Sequence, residues 1–155
     1  MTLIYIDADA CPVRQEAMRV AERHGIEVAV VSNGGIRPSP ESWVKTIIVP
    51  EGPDVADHWI AERIGPGDIC VTADTPLAAR CLKAGGRAIR PNGEEFTIAN
   101  IGHALAMRDL MADLRAANPL EAGSGNRPFG KSDRSRFLDV LDRLVRAAVV
   151  ESPQD

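Results

Sequence analysis

The chain opens on Leu3-Ile4-Tyr5-Ile6, an apolar and β-prone run that stops abruptly at Asp7-Ala8-Asp9, with Pro12 close behind. A run this continuous, with charge only at its end, reads as the central strand of a parallel sheet, buried on both faces. Such a strand needs helices to cover it, and the chain supplies them, alternating strand-like and helix-like segments. Open α/β sheets hold their ligands outside the carboxyl ends of the strands, which is where Asp7 and Asp9 fall. One carboxylate there is explained as a cap for the next helix. Two, flanking a small alanine, call for a further reason.

The remaining elements follow from local signals. Pro12 and Gly25 bracket a helix that carries Val13, Ala17, Val20 and Ala21 at helical spacing. Ile26 to Val31 is a second strand closed by Ser32-Asn33-Gly34-Gly35; Pro38 and Pro40 mark a loop, and Val44 to Val49 is a third strand. A helix from Asp54 to about Ile64, a fourth strand over Asp68 to Ala73, a helix from about Pro76 to Ala84 and a short strand from Arg87 to Arg90 come next. Thr97 is placed to cap a long helix ending near Ala117. Residues 118–131, rich in Gly, Pro, Ser and Asn, read as a mobile loop. An amphipathic helix from Ser132 to about Val150 closes the chain, with Phe137, Leu138, Leu141, Leu144 and Val145 on its apolar face. The expectation is a single α/β domain over residues 1–155, three-layer α/β/α with a mostly parallel sheet.

Composition narrows the function. The formal charge of −4 gives no global nucleic-acid signature, and aromatics at 4% leave little for a base-stacking platform. Cys11, Cys70 and Cys81 form no C-x-x-C pair, so reduced thiols fit better than a disulfide framework or structural zinc. No signal-peptide pattern and no bilayer-length apolar run is read, which together point to the cytoplasm.

Carboxylates gather at one predicted edge. Asp7 and Asp9 leave the first strand, Asp74 leaves the fourth, and Asp54 and Asp57 open the helix after the third. If the fourth strand lies beside the first, Asp7 and Asp74 meet at the topological switch point. Clustered carboxylates repel unless a proton or cation compensates, and a hard divalent ion takes oxygen ligands. Asp7, Asp54, Asp57 and Asp74 are therefore candidate ligands for Mg²⁺ or Mn²⁺, and Asp7, Asp9 and Asp74 the candidate catalytic acids. Each has a simpler reading as a helix cap or first-turn acid. Asp9 stays open between outer-shell ligand, general acid and cap; Asp68, at the start of its strand, reads as a turn residue on the opposite edge.

Other groups carry less. Cys11 adjoins a helix start, which lowers a thiol pKa, but no His-acid pair accompanies it. His24 reads as a helix C-terminal residue, and His58 and His103 as facing solvent or partners. Thr72 and Ser32, near strand ends, have hydroxyls suited to a phosphate. The segment from Gly125 to Arg136 is locally basic in an acidic protein: Arg127, Lys131, Ser132, Arg134 and Arg136 surround a helix start, an arrangement suited to phosphate or nucleic acid.

Ile6-Asp7-Ala8-Asp9-Ala10-Cys11-Pro12, Asp54-x-x-Asp57, Gly67 through Ala78 and Asp133-Arg134-x-x-Phe137 together resemble the YaiI/YqxD family of bacterial proteins. That family is grouped with PIN-like domains, whose acidic residues bind Mg²⁺ or Mn²⁺ in ribonucleases. The resemblance implies that Asp7 matches the acid ending the first strand and that Thr72-Ala73-Asp74 matches a Thr-x-Asp motif. Asp54 or Asp57 stands where PIN domains use a glutamate; Asp9 has no counterpart. The implied function is a metal-dependent nuclease acting on phosphodiesters, with single-stranded RNA as substrate. Two other readings stay open. Asp7-x-Asp9 has the spacing of an HAD-like phosphatase, nucleophile and general acid, and the fold also suits a non-catalytic RNA- or partner-binding module. An oligomer is left open, and no membrane role is expected.

Overall fold

The structure is a computed structural model that describes residues 2–8, 12–117 and 129–151. A six-stranded sheet has the order β3-β2-β1-β4-β5-β6. Its strands are β1 (Leu3–Asp7), β2 (Glu27–Ser32), β3 (Val44–Ile48), β4 (Ile69–Val71), β5 (Arg87–Ile89) and β6 (Glu95–Phe96). The first five run parallel and β6 is antiparallel. The helices are α1 (Arg14–His24), α2 (Val55–Ala61), α3 (Thr75–Lys83), α4 (Ile98–Ala117) and α5 (Lys131–Glu151). The predicted three-layer α/β/α class is the one observed.

The alternation of side chains along a strand divides the core in two. Ile4 and Ile6 of β1 face α1 and α5, where they pack with Val20, Phe137, Leu141 and Val145. Tyr5 faces the other way, into a cluster with Ile60 of α2 and Leu77 and Cys81 of α3. By the same parity Asp7 belongs to the α2/α3 side. The β2-to-β3 crossover contains no helix; Ile36 and Trp43 of that connection pack against the α1/α5 core in its place.

Local chemistry sets the helix ends. Gly25 adopts φ 65° and its N–H donates to the carbonyls of Ala21 and Glu22, closing α1 as a left-handed cap. Strand β6 is absent from the sequence expectation, because two residues are too short to show a period of two. It returns from β5 through a turn in which Gly93 has φ 93°. A side chain at Gly93 would stand 2.6 Å from Arg136 Cγ, so glycine also lets α5 approach. Midway along that helix, Asp142 meets His24 of α1 at 2.7 Å. Among the described residues no helix is long and apolar enough to cross a membrane.

Candidate metal centre

Strands β1 and β4 are the adjacent pair from which the chain winds in opposite directions, the switch point at which open sheets take ligands. Asp7, 6% exposed, ends β1 there. Thr72, at the end of β4, donates its hydroxyl to Asp7 Oδ2 at 3.1 Å. The same Oγ1 accepts the N–H of Asp74 at 3.0 Å. Asp74 in turn caps α3, its Oδ1 accepting the Leu77 N–H at 2.8 Å. Asp7, Thr72 and Asp74 thus form one hydrogen-bonded chain across the two central strands and into the next helix.

The other two acids come from α2. Asp57 lies in its first turn, and Asp54 precedes it without making a side-chain cap. Asp54 has φ 63°, the one non-glycine residue with positive φ among those described, a conformation that glycine adopts at less cost and that aspartate tolerates better than most other residues. The tight Glu51-Gly52-Pro53 approach leads into that turn.

Oxygen atoms of Asp54, Asp57 and Asp74 all lie within 4.8 Å of one another. The structure therefore brings together three of the four sequence-predicted ligands; Asp7 lines a cleft with Asp54 and Asp57 but stands outside the tight group. Crowding shows in Asp57. Burial, then the charges of Asp74, Asp7 and Asp54 and a hydrogen bond with Asp54, push its pKa up to about 7. A set of hard oxygen donors carrying excess negative charge fits a small divalent cation; a proton on Asp57 is the substitute when no cation is near.

Nitrogen-bearing side chains border the acids. His58, Arg80 and Arg108 line the cleft shared by Asp54, Asp57 and Asp74. Arg80 Nη1 lies 2.7 Å from His58 Nδ1, which makes that ring nitrogen an acceptor. None of these was singled out as part of the site from sequence; the i, i+4 step from Asp54 to His58 was the only local hint.

The basic segment has a different arrangement from a free cationic patch. Arg134 donates to the Pro12 carbonyl at 2.9 Å and to Glu16 at 3.0 Å, and stacks 5.0 Å over Phe129. Its charge ties α5 to the start of α1. Asp133, 3% exposed, accepts the Gly130 N–H at 2.9 Å. Lys131, Ser132 and Arg136 are exposed. Asp9, Cys11, Arg127 and most of the predicted 118–131 loop lie outside the described residues. Cys70 and Cys81 are buried in the α2/α3 core, where their mutual hydrogen bond and then burial push the Cys70 thiol up; neither is at the site.

A family model described as "Uncharacterized BCR, YaiI/YqxD family" matches residues 5–147. Among similar proteins, a UPF0178 protein of Ruegeria pomeroyi is 68% identical over 148 residues, covering 96% of each chain. One of Roseobacter denitrificans is 62% identical, covering 96% of this chain and 97% of the relative. One of Rhodospirillum rubrum is 54% identical over 145 residues, 93% and 95% of the two chains. No solved structure matches.

Proposed function

The chain belongs to the YaiI/YqxD family, and we propose that it is a divalent-metal-dependent phosphodiester hydrolase of the PIN-like kind, acting on RNA. The observation that carries this reading is the convergence of three carboxylates, from α2 and the start of α3, within 4.8 Å at the switch point. Asp54, Asp57 and Asp74 would hold Mg²⁺ or Mn²⁺, with Asp7 behind them. Such an ion supplies water activation and stabilisation of charge developing at phosphorus.

The chain's own residues do the positioning. Thr72 holds Asp7 and, through the Asp74 N–H, sets the start of α3, so two acids keep a fixed separation. The unprotonated form of Asp57 is needed both to ligate and to accept a proton from an attacking water, and ion binding favours that form. Arg80 borders the acids and suits the non-bridging oxygens of a phosphodiester. Lys131, Ser132 and Arg136 are further candidates for the flanking backbone.

Calorimetric titration with Mn²⁺, followed by cleavage assays on labelled single-stranded RNA, tests the reading. The expected outcome is one ion site lost in Asp74→Asn, and Mn²⁺-dependent cleavage lost with it. Undiminished cleavage in Asp74→Asn sinks the site assignment. Mn²⁺ uptake without cleavage leaves a binding module.

A further inference from the structure

A cleft of about 550 Å³ lies between β6 and α4, beside the acidic centre. Asp74 and Arg108 line both this cleft and the smaller one that holds Asp54 and Asp57, so the two clefts adjoin. Its α4 wall is a single stripe. Asn100, His103, Met107, Arg108, Met111 and Arg115 recur at helical spacing along it, while Asp109 and Asp113 fall on the other side of the helix. Both arginines of α4's second half thus face the cleft and both of its aspartates face away.

The opposite wall carries Glu94 and Glu95, each beside an arginine of its own. Glu94 pairs with Arg90 at 3.5 Å and Glu95 with Arg143 at 3.6 Å. Arg108 lies 3.6 Å from its exposed neighbour Asp109, a surface contact of little strength. The cleft also has apolar surface that a duplex backbone would leave unused. Met107 and Met111 are 42% and 44% exposed, and Arg90 lies 4.4 Å over the Phe96 ring. Guanidinium planes and polarizable methionines are surfaces on which an unstacked base rests. Helix α4 packs on the α2/α3 core through Ile101 and Ala104 but has no fully buried residue along its 20 positions, which leaves this stripe open to a ligand.

We infer that the β6/α4 cleft is the track for a single-stranded nucleic acid on one side of the reacting phosphodiester, with Arg108 and Arg115 on its phosphates and Met107 and Met111 under a base. This rests on the hydrolase reading above. It assigns strand binding to α4, a helix that sequence reasoning passed over in favour of the basic segment before α5.

The test is fluorescence anisotropy of the full chain with a labelled single-stranded oligoribonucleotide, with Ca²⁺ present to neutralise the carboxylates and the probe checked intact afterwards. Arg108→Ala/Arg115→Ala is expected to weaken binding ten-fold or more. It should also reduce the slope of log affinity against log salt by about 1.4, roughly 0.7 for each phosphate contact removed. Arg19→Ala/Lys83→Ala removes two exposed cations elsewhere and is expected to bind like the parent. Circular dichroism of each variant checks that α4 still forms. Binding by the α4 variant equal to that of the parent overturns the inference, as does no binding by the parent, or an equal loss in the control. A duplex bound as tightly as the single strand overturns the single-strand assignment. Mn²⁺ titration on the same proteins separates the two claims: a parent that takes up no Mn²⁺ refutes the hydrolase reading while the anisotropy still decides the cleft.

Discussion

Replacing Asp57 with asparagine tests the electrostatic account of the site directly. Its carboxyl moves from an ordinary 3.8 to about 7, chiefly through burial and then through Asp74, Asp7 and Asp54. At about 1.36 kcal/mol per pH unit, the full shift corresponds to roughly 4 kcal/mol. Asp57 is only half-buried, and solvent screening reduces this to about 1–2 kcal/mol. The sign follows from linkage. The folded chain binds this proton more tightly than the unfolded chain, so stability from this group falls as pH rises from about 4 to 7, and the penalty is complete above that.

Asp57→Asn removes the penalty. In EDTA at pH 8 the variant should melt about 3–6 °C above the parent, taking about 2–4 °C per kcal/mol for a domain of this size. At pH 4.5, where the parent's Asp57 is protonated, most of the gain should vanish. Added Mn²⁺ should raise the melting temperature of the parent and do little for the variant. Differential scanning calorimetry at both pH values reads all three. A variant no more stable than the parent at pH 8, or equally stabilised at both pH values, refutes the reasoning.

Three further outcomes follow from single contacts. Asp54→Gly relieves a left-handed φ and should raise the urea midpoint in EDTA by the equivalent of about 0.5–1 kcal/mol while weakening Mn²⁺ binding in calorimetry; a loss of stability contradicts the strain assignment. Thr72→Val removes the buried hydroxyl that serves both Asp7 and the Asp74 N–H; it should cost about 1–3 kcal/mol in denaturant titration, with Thr72→Ser restoring most of it. If the valine and serine variants are equally stable, the hydroxyl is not holding the site. Phe137→Ala, at a fully buried position between α5 and the sheet, should cost about 3–5 kcal/mol by chemical denaturation, leaving ion affinity in the surviving folded fraction unchanged.

The central strand and its neighbour were legible because their signals are local. Ile4-Tyr5-Ile6 and Ile69-Cys70-Val71 are uninterrupted apolar runs, and each ends in charge where the chain leaves the sheet. Glycine and proline marked most helix ends for the same reason. Long-range pairings left no such trace. Nothing near Arg134 in the chain reveals that its guanidinium reaches Glu16, 118 positions away. The Asp54-to-His58 step is visible in sequence, but the meeting of His58 with Arg80 depends on how α2 packs beside α3. The stripe of arginines and methionines on α4 was also present as a pattern. It reads as an ordinary amphipathic surface until β6, too short to announce itself, supplies the second wall.

The four acids do not have equal freedom, and this divides their roles. Asp7 is held by Thr72, and Asp74 by the Thr72 turn and the Leu77 N–H, so both are fixed to the sheet and α3. Asp57 belongs to a seven-residue helix, and Asp54 is the left-handed residue that precedes it without making a side-chain cap. Closing that helix against Asp74 concentrates negative charge, which is unfavourable until a cation or proton arrives. On the proposed reading, the rigid pair would set where an ion sits, and Asp54 and Asp57 would set how tightly it is held. Substitutions at Asp7 and Thr72 should then displace or disorder the site, whereas those at Asp54 and Asp57 should mainly change affinity and its pH dependence.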